Sequence, residues 1–274
     1  MLEFLELSEL TSVTSLRFVL FFASISVLIS SLEYLTLLPH FGTHGLFSER
    51  VVFGTSSWSK RTLGQVFSPR VMAVIFCVRG LAAIWCLSAS TTYLAIPVVA
   101  MTLGQIAIHY RCHYGLEGSD QMTMILLVML TVTTCFYTET VRQIALGFIA
   151  AQVCLSYLIA GIGKLLGATW RDGTAVRDVL RTRQNGHEFF WRLARHSRFL
   201  SVLSAYLVIA FECMFPFSVL LTPEITFAFL VAGCAFHCTN AVAMGLNGFV
   251  WSFVGTYPAV LYWAMRISQG SIYP

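Results

Sequence analysis

Residues 144–166 read IALGFIAAQVCLSYLIAGIGKLL, and this stretch decides the fold class. Its one charged side chain, Lys164, lies close to its end. A run of about 20 predominantly apolar residues is long enough to cross a lipid bilayer as an α-helix. The stretch therefore predicts a transmembrane helix with a lysine near one of its ends.

The composition extends this prediction to the rest of the chain. Of the 274 residues, 57% are hydrophobic and 11% are charged, whereas a soluble domain carries about 25% charged residues. The net charge of +4 is too small and too scattered for a nucleic-acid-binding surface. These values exclude an ordinary soluble enzyme, a disordered tail and a disulfide-rich secreted module, and we expect no nucleic-acid partner.

Several hydrophobic segments are long enough to span a membrane. They are Leu16–Leu38, Val71–Ala89, Tyr93–His109, Met122–Thr138, Ile144–Leu166, Phe199–Leu221, Ile225–Leu246 and Phe249–Ile267. Because no internal repeat divides them, we predict one domain over residues 1–274, an all-α polytopic bundle of about eight transmembrane helices. The acidic start of the chain, with Glu3, Glu6 and Glu9, predicts no cleaved signal peptide.

Two long polar connections, Pro39–Arg70 and Gly167–Arg198, separate these segments. In the second, apolar residues at helical spacing alternate with arginines, which is typical of helices that lie along the membrane interface. A solvated cytoplasmic loop explains the same arginines. With eight spans, twelve Lys and Arg lie on the side of these connections and three on the other, so the positive-inside rule places both termini outside the cytoplasm.

Ionisable groups inside membrane spans are costly and often mark function. Five fall within or near the predicted spans, namely Glu33, Arg79, Lys164, Glu212 and His237. Buried charges require a partner. We therefore expect Arg79 to form a structural ion pair with Glu33 or Glu212.

Lys164 follows the small residues Ala160, Gly161 and Gly163, which let a neighbouring helix or a ligand approach the backbone closely. An amine held out of water loses the solvation of its charged form, and a neutral lysine can act as a general base. Alternatively, its side chain extends along the last turn and brings the ammonium to the lipid headgroups. Position alone leaves both interpretations open.

Three further groups of polar residues are candidates for a binding site. His237 and Asn240 lie three residues apart on one helix face, where they form either a pocket wall or an interhelical hydrogen bond. His109, His113 and Asp120 cluster at the exit of a span. Cys234, His237 and Cys238 share a face, but a zinc site needs a fourth ligand or an open position, and we predict no metal.

Two motifs resemble a known family. Tyr157–Gly173 (YLIAGIGKLLGATWRDG) resembles the segment of the vitamin K-dependent γ-carboxylase in which an Ala-Gly ending, a lysine-leucine pair, a tryptophan and a glycine follow one another. Phe236–Asn240 (FHCTN), followed by Gly248-Phe249 and Pro258, resembles its later helix pair. Gly115–Asp120 and Arg17 suit its short bacterial branch, the horizontally transferred transmembrane (HTTM) domain. In order, the resemblance covers nearly the whole chain.

The resemblance implies a chemistry. In the carboxylase, a lysine at the position that Lys164 matches deprotonates a reduced quinone, vitamin K hydroquinone, and the strong base formed with oxygen removes a proton from a glutamate side chain. Carbon dioxide then adds to the resulting carbanion. By this resemblance, Lys164 is the catalytic residue. The substrate-binding residues are then His237, Asn240, Trp170, His113 and Glu212.

The chain also departs from the carboxylase. It ends soon after its last predicted span, so we expect no soluble region that engages a propeptide. The family's active face is extracytoplasmic, whereas the charge count places Lys164 on the cytoplasmic side. Either some of the arginines line an anionic pocket and do not determine the topology, or this branch acts on a different substrate from the other side.

Two functions therefore remain open. One is a lipid-embedded enzyme of a bacterial inner membrane that uses a quinol to modify a peptide or small protein. The other is a membrane factor without turnover, of the SdpB type, that accompanies an accessory protein in the maturation or export of a peptide toxin. A transporter is less favoured, because no pair of Gly/Pro-broken helices recurs in two halves of the chain.

Overall fold

The computed structural model describes residues 10–42, 45–48, 51–52, 67–88, 94–112, 114, 116–182 and 186–270. Within these ranges the chain is all-helical, with no β-strand, which confirms the predicted fold class at this level. The helices are α1 (Ser12–Thr36), α2 (Pro69–Ser88), α3 (Ala95–Arg111), α4 (Gly118–Cys135), α5 (Glu139–Leu166), α6 (Ala168–Arg171), α7 (Thr174–Arg181), α8 (Glu188–His196), α9 (Arg198–Ser218), α10 (Pro223–Met244), α11 (Asn247–Val254) and α12 (Tyr257–Ser268). A 3-10 turn, Leu38–Phe41, follows α1.

Five of the described helices, α1, α2, α5, α9 and α10, are long and apolar enough to cross a membrane. Their outward side chains are apolar as well: Val74 and Leu81 on α2 are 62% and 67% exposed. An apolar surface on long helices requires lipid as its solvent. The protein is therefore an integral membrane protein.

The other three predicted spans differ from these five for local reasons. Helix α3 has 17 residues, and α4 begins with the polar residues Gly118–Gln121. The predicted span Phe249–Ile267 consists of two shorter helices, because α11 ends at Val254 and α12 begins at Tyr257, with Pro258 in its first turn. Proline fits the first turn of a helix, where no backbone donor is lost.

Chain contacts divide the protein into two compact units. The amino-terminal unit is Leu16–Ala145, and the carboxy-terminal unit is built mainly from Leu146–Pro274. The amino-terminal unit has a core of Phe41, Met72, Phe76, Ile108 and Cys112. The carboxy-terminal unit contains most of α5 and all of α6–α12, and it holds the residues on which the functional argument depends.

Local signals explain where several helices start and stop. Helix α4 begins with a capping box in which the Glu117 amide donates to Asp120 Oδ2 at 2.9 Å. Helix α9 begins where Ser197 Oγ accepts a hydrogen bond from the Leu200 amide. Helix α10 ends at Gly245, whose φ of 73° is the left-handed conformation that glycine adopts at helix ends.

The second long polar connection forms the helices α6, α7 and α8, so the helical periodicity predicted for it is confirmed. Of the first connection, Pro39–Arg70, residues 43–44, 49–50 and 53–66 lie outside the described residues.

Candidate functional site

One face of α5 carries the residues around which the candidate site is built. Tyr157, Gly161 and Lys164 follow one another at spacings of four and three, which places them on the same side of the helix. This face packs against α9, where Phe211, Glu212 and Phe215 provide the contacts. The contact between α5 and α9 therefore positions both Tyr157 and Lys164, the two ends of the candidate site.

At the end of α5, Lys164 forms an ion pair with Glu212. Its Nζ donates to both carboxylate oxygens, at 2.8 Å to Oε1 and 2.7 Å to Oε2. The Glu212 side chain is 5% exposed and the Lys164 side chain 20%. The lysine thus directs its amine towards a buried carboxylate, while part of its side chain remains exposed.

Gly161 makes this pairing possible by letting the two helices approach. A Cβ at position 161 would lie 2.8 Å from Cys213 Sγ, 2.9 Å from the Cys213 backbone nitrogen and 3.0 Å from Glu212 Cβ. A side chain there would push α9 away from α5. The small-residue run before Lys164, noted in the sequence, serves a close helix–helix approach.

An aromatic ring completes the surroundings of the amine. After α5 the chain turns at Gly167 into the short helix α6, which brings the Trp170 ring centroid to 5.2 Å from Lys164 Nζ. This is a cation–π distance. Lys164, Glu212 and Trp170, three of the residues singled out in the sequence, thus come together.

A second polar group lies deeper in the same unit. The Tyr157 hydroxyl is hydrogen-bonded to His237 Nε2 at 2.6 Å and to the Tyr257 hydroxyl at 2.9 Å. All three side chains are buried, and His237 Nδ1 has no hydrogen-bond partner among the described residues. A Cβ at Gly233 would overlap the Tyr257 hydroxyl, so this glycine provides the space for that hydroxyl.

Aromatic rings enclose this group on several sides. The Tyr157 ring centroid lies 4.1 Å from that of Phe215 and 5.5 Å from that of Phe211, and His237 lies 4.7 Å from Phe253. Such rings exclude water from the three polar side chains. Hydrogen bonds in such surroundings are stronger than in water, and an unpaired polar atom is correspondingly costly.

The two groups are separate along α5. Tyr157 and Lys164 are seven residues apart, which corresponds to about 10 Å along the helix axis. The partner of His237 is therefore Tyr157, and the partner of Lys164 is Glu212. The two polar groups are therefore separate sites on one helix face.

The remaining sequence-based candidates stand as follows. Asn240 is half-buried on α10, one turn after His237. His113 lies outside the described residues. The part of the chain that the structure describes holds no group of three or more His, Cys, Asp or Glu that could bind a metal ion.

Arg79 lies in the amino-terminal unit and does not form the expected carboxylate pair. Its side chain is fully buried, and Nη2 donates to Gln105 Oε1 at 2.6 Å and to Ser30 Oγ at 3.1 Å. The ion pairs recorded among the described residues involve other side chains, and Glu212 pairs with Lys164. Neutral oxygen acceptors thus replace the carboxylate that the sequence argument assigned to Arg79.

Tyr157, Tyr257 and Gln105 are the polar residues that sequence reasoning missed. A buried tyrosine hydroxyl usually needs a hydrogen-bond partner, and Tyr157 lies on the Lys164 face of an apolar helix. That position was a usable signal. Nothing in the sequence pairs Tyr157 with His237 or Tyr257, which lie 80 and 100 positions away.

Outside the spans, one carboxylate near the site has a shifted pKa. Hydrogen bonds from Thr174, with a smaller contribution from the nearby arginines Arg198 and Arg177, lower the pKa of Asp172 below its usual 3.8. The backbone amide of Thr174 donates to Asp172 Oδ1 at 2.8 Å. The carboxylate thereby fixes the start of α7, directly after the Trp170 helix.

Comparisons of the chain with protein-family models, with curated proteins and with solved structures give no match.

Proposed function

We propose that this chain is an integral-membrane enzyme of the γ-carboxylase and HTTM type, which modifies a peptide at the expense of a reduced quinone. The observation that carries the proposal is the Lys164–Glu212 pair, a partly accessible amine on a buried carboxylate inside the family-like segment. In membrane proteins such intramembrane charges are rare and usually functional.

The surroundings of Lys164 fit an aromatic ring that bears a hydroxyl group. The indole of Trp170 lies beside the amine, and the Lys164 side chain is 20% exposed. The neighbouring end of α5 is apolar, with Leu165 and Leu166 exposed at 44% and 74%. A reduced quinone bound there would supply the electrons for a reaction with oxygen.

Lys164 and Glu212 accept the proton as a pair. Before transfer, the ammonium and the carboxylate together carry no net charge. Transfer of the Nζ proton to Glu212 gives a neutral amine beside a neutral carboxyl group, and Nζ then accepts the proton of the bound hydroxyl. This route leaves one positive charge at Nζ, beside the oxygen that has lost its proton.

The test measures oxygen consumption and quinone epoxide formation by the purified protein with vitamin K hydroquinone as the probe. We expect Lys164→Met and Lys164→Arg to lose about 100-fold or more, the usual contribution of a general base, because a guanidinium stays protonated. Glu212→Gln should lose activity as well. Arg142→Gln, which alters an ion pair at the start of α5, is the matched control. Full activity in Lys164→Arg would contradict the proposal.

We further infer that α3, α4 and the α11–α12 pair also cross the bilayer, which gives eight spans, and that the membrane is a bacterial inner membrane. Helices α7 and α8 then lie at the interface between the ends of α5 and α9. Cysteine accessibility to a membrane-impermeant reagent tests the crossing of α3 and α4, with single cysteines placed before α3 and between α3 and α4, which should lie on opposite sides of the membrane.

A second candidate function is a factor without turnover for the maturation or export of a peptide toxin. The observation that favours it is that the Lys164–Glu212 pair also serves as a contact between α5 and α9. In that case, an accessory protein co-purifies at fixed stoichiometry, and the purified chain alone consumes no oxygen with the quinol. Turnover by the purified chain excludes this function.

A further inference from the structure

A cavity of about 590 Å³ lies between α7 and α8, in the carboxy-terminal unit. Its lining residues are Thr174, Arg177, Asp178, Arg181, Trp191 and Arg195. Three guanidinium groups and one carboxylate thus face one space. The cavity is separate from the Lys164 site, and the proposed function makes no use of it.

Two of the three arginines of this cavity have a side-chain contact, and none of the three is in a recorded ion pair among the described residues. Arg177 Nη2 donates to Thr174 Oγ1 at 3.3 Å, and the Arg195 guanidinium lies 5.3 Å from the Trp191 ring centroid. Among the described lining residues, three arginines face one carboxylate, Asp178, so this part of the cavity has an excess of positive charge.

The two helices that form the cavity are anchored on α9. Gly173, with a φ of 77°, brings the start of α7 so close that a Cβ there would lie 2.8 Å from the Val202 backbone nitrogen. On the other side, Ser201 Oγ donates to the carbonyl of Ala194 in α8 at 2.9 Å. The arginines therefore stand on a fixed frame, which lowers the entropic cost of binding a ligand.

The position of the cavity relates it to the membrane surface. Helices α7 and α8 connect the end of α5 to the start of α9, and both of those helices are long and apolar enough to span. Phe189 and Leu193 lie on the opposite face of α8 from the lining residues Trp191 and Arg195, and they are exposed at 64% and 51%. Phe199, at the start of α9, is exposed at 72%. A helix with exposed apolar residues on one face and arginine on the other is typical of the membrane interface, and tryptophan is typical of the headgroup region.

We propose that this cavity binds the phosphate group of an anionic phospholipid, with Arg177, Arg181 and Arg195 as its ligands. Guanidinium groups match phosphate oxygens through paired hydrogen bonds, and the exposed apolar face of α8 holds the cavity at the level of the lipid headgroups. An acidic peptide would satisfy the arginines but leaves the exposed Phe189 and Leu193 unexplained. Basic pockets at the ends of spans bind anionic headgroups by the same chemistry.

In the experiment, the delipidated protein in neutral detergent is titrated with each probe, and the bound probe is measured by native mass spectrometry. The probes are phosphatidylglycerol, phosphatidylcholine, inorganic phosphate and a poly-glutamate peptide. We expect phosphatidylglycerol to bind at least about tenfold more tightly than phosphatidylcholine, with affinity falling as salt rises. Tighter binding of inorganic phosphate than of the lipid, or of the peptide than of either, overturns the lipid assignment.

Variants locate the binding. Arg181→Gln, at an exposed position where folding is not at risk, should weaken phosphatidylglycerol about tenfold, as expected for the loss of one charged hydrogen-bond donor. Arg177→Gln with Arg195→Gln should weaken it further, and the corresponding lysine variants less. Arg192→Gln is the matched control, because Arg192 lies on α8 outside the lining and pairs with Glu188. Equal losses in Arg192→Gln and Arg181→Gln would refute the proposal.

Discussion

Lys164 Nζ donates to both carboxylate oxygens of Glu212, at 2.8 and 2.7 Å, so that one ammonium of α5 is held at two points by one side chain of α9. The two partners differ in burial, because the Glu212 side chain is 5% exposed and the Lys164 side chain 20%. Removal of either partner therefore leaves a different charge behind. Because of this difference, single substitutions of Lys164 and of Glu212 should change stability by different amounts, which can then be compared with their effects on activity.

Lys164→Met should be the more destabilising of the two single variants. It leaves the Glu212 carboxylate buried without a counter-ion, for which we expect a loss of about 3 kcal/mol in the free energy of unfolding. Glu212→Gln should cost less, since the free ammonium can extend towards the headgroups. The double variant, Lys164→Met with Glu212→Gln, should be more stable than Lys164→Met alone. Reversible unfolding in mixed micelles measures all three.

The matched control for this series is Arg142→Met. Arg142 pairs with Glu139 on the same helix, but the two side chains are 23% and 49% exposed. A pair of this kind contributes roughly 1 kcal/mol or less. If Arg142→Met and Lys164→Met lost equal stability, the distinction between a buried and a superficial pair would be wrong.

Gly161 and Gly163 give a second matched comparison on one turn of α5. Gly161→Ala places a methyl group 2.9 Å from the backbone nitrogen of Cys213, so α9 has to move, at a cost of about 1–3 kcal/mol. At Gly163 a Cβ meets nothing within 4 Å, and Gly163→Ala should be neutral or gain up to about 1 kcal/mol of helix propensity. Thermal unfolding of the two variants distinguishes them.

The same pair of variants also reports on the site. Because Gly161→Ala separates the helices that carry Lys164 and Glu212, it should weaken quinol oxidation, whereas Gly163→Ala should leave it unchanged. Similar behaviour of both alanine variants in stability and activity would show that α5 and α9 do not approach each other closely at Gly161.

Tyr157→Phe tests the buried hydrogen-bond group. The variant removes the partner of His237 Nε2, and His237 Nδ1 already has no partner among the described residues. An imidazole left unsatisfied in apolar surroundings should cost about 1–3 kcal/mol. Tyr206→Phe, at a position 45% exposed on α9, is the control and should change stability by less than about 0.5 kcal/mol. Equal effects would exclude a structural role for the Tyr157 hydroxyl.

The sequence predicted those features that depend on local pattern. Apolar runs predicted the helices, and the rarity of charge in lipid directed attention to Lys164 and Glu212. Partner choice was less accessible, because it depends on which helices meet. Arg79 bonds to Gln105 rather than to a carboxylate, and the hydrogen-bond partner of His237 is Tyr157, 80 positions away. The helix break at Gly255–Thr256 has local signals in Gly255 and Pro258, but the stretch around it is long and apolar enough to be predicted as one span.

Gly104 tests the packing of Arg79 in the amino-terminal unit. A Cβ at position 104 would overlap Cγ and Cδ of Arg79, so Gly104→Ala should displace the guanidinium from Gln105 and cost about 1–3 kcal/mol. Gly80→Ala is the control, because a Cβ there lies 3.7 Å from Ser31 Cβ, an ordinary contact distance. If Gly104→Ala left the stability unchanged, the aliphatic part of the Arg79 side chain would not pack against Gly104.

Asp172 gives a prediction for pH. Hydrogen bonds from Thr174 lower the pKa of Asp172 below 3.8, so the carboxylate form is favoured in the folded protein. Its contribution to the start of α7 is complete above pH of about 4 and is lost as the pH falls through the lowered pKa. The protection of the Thr174 amide from hydrogen exchange should therefore be constant between about pH 5 and 7, and decrease in more acidic solution.

Two variants determine whether this decrease comes from Asp172. Asp172→Asn keeps an oxygen that accepts the bond from the Thr174 amide but does not titrate, so protection should be lower than in the parent protein and independent of pH. Asp172→Ala removes the acceptor and should lower protection at every pH. If the acid-dependent decrease persisted in Asp172→Asn, another group would control the start of α7, and the 2.8 Å contact between Thr174 and Asp172 would not be what orders it.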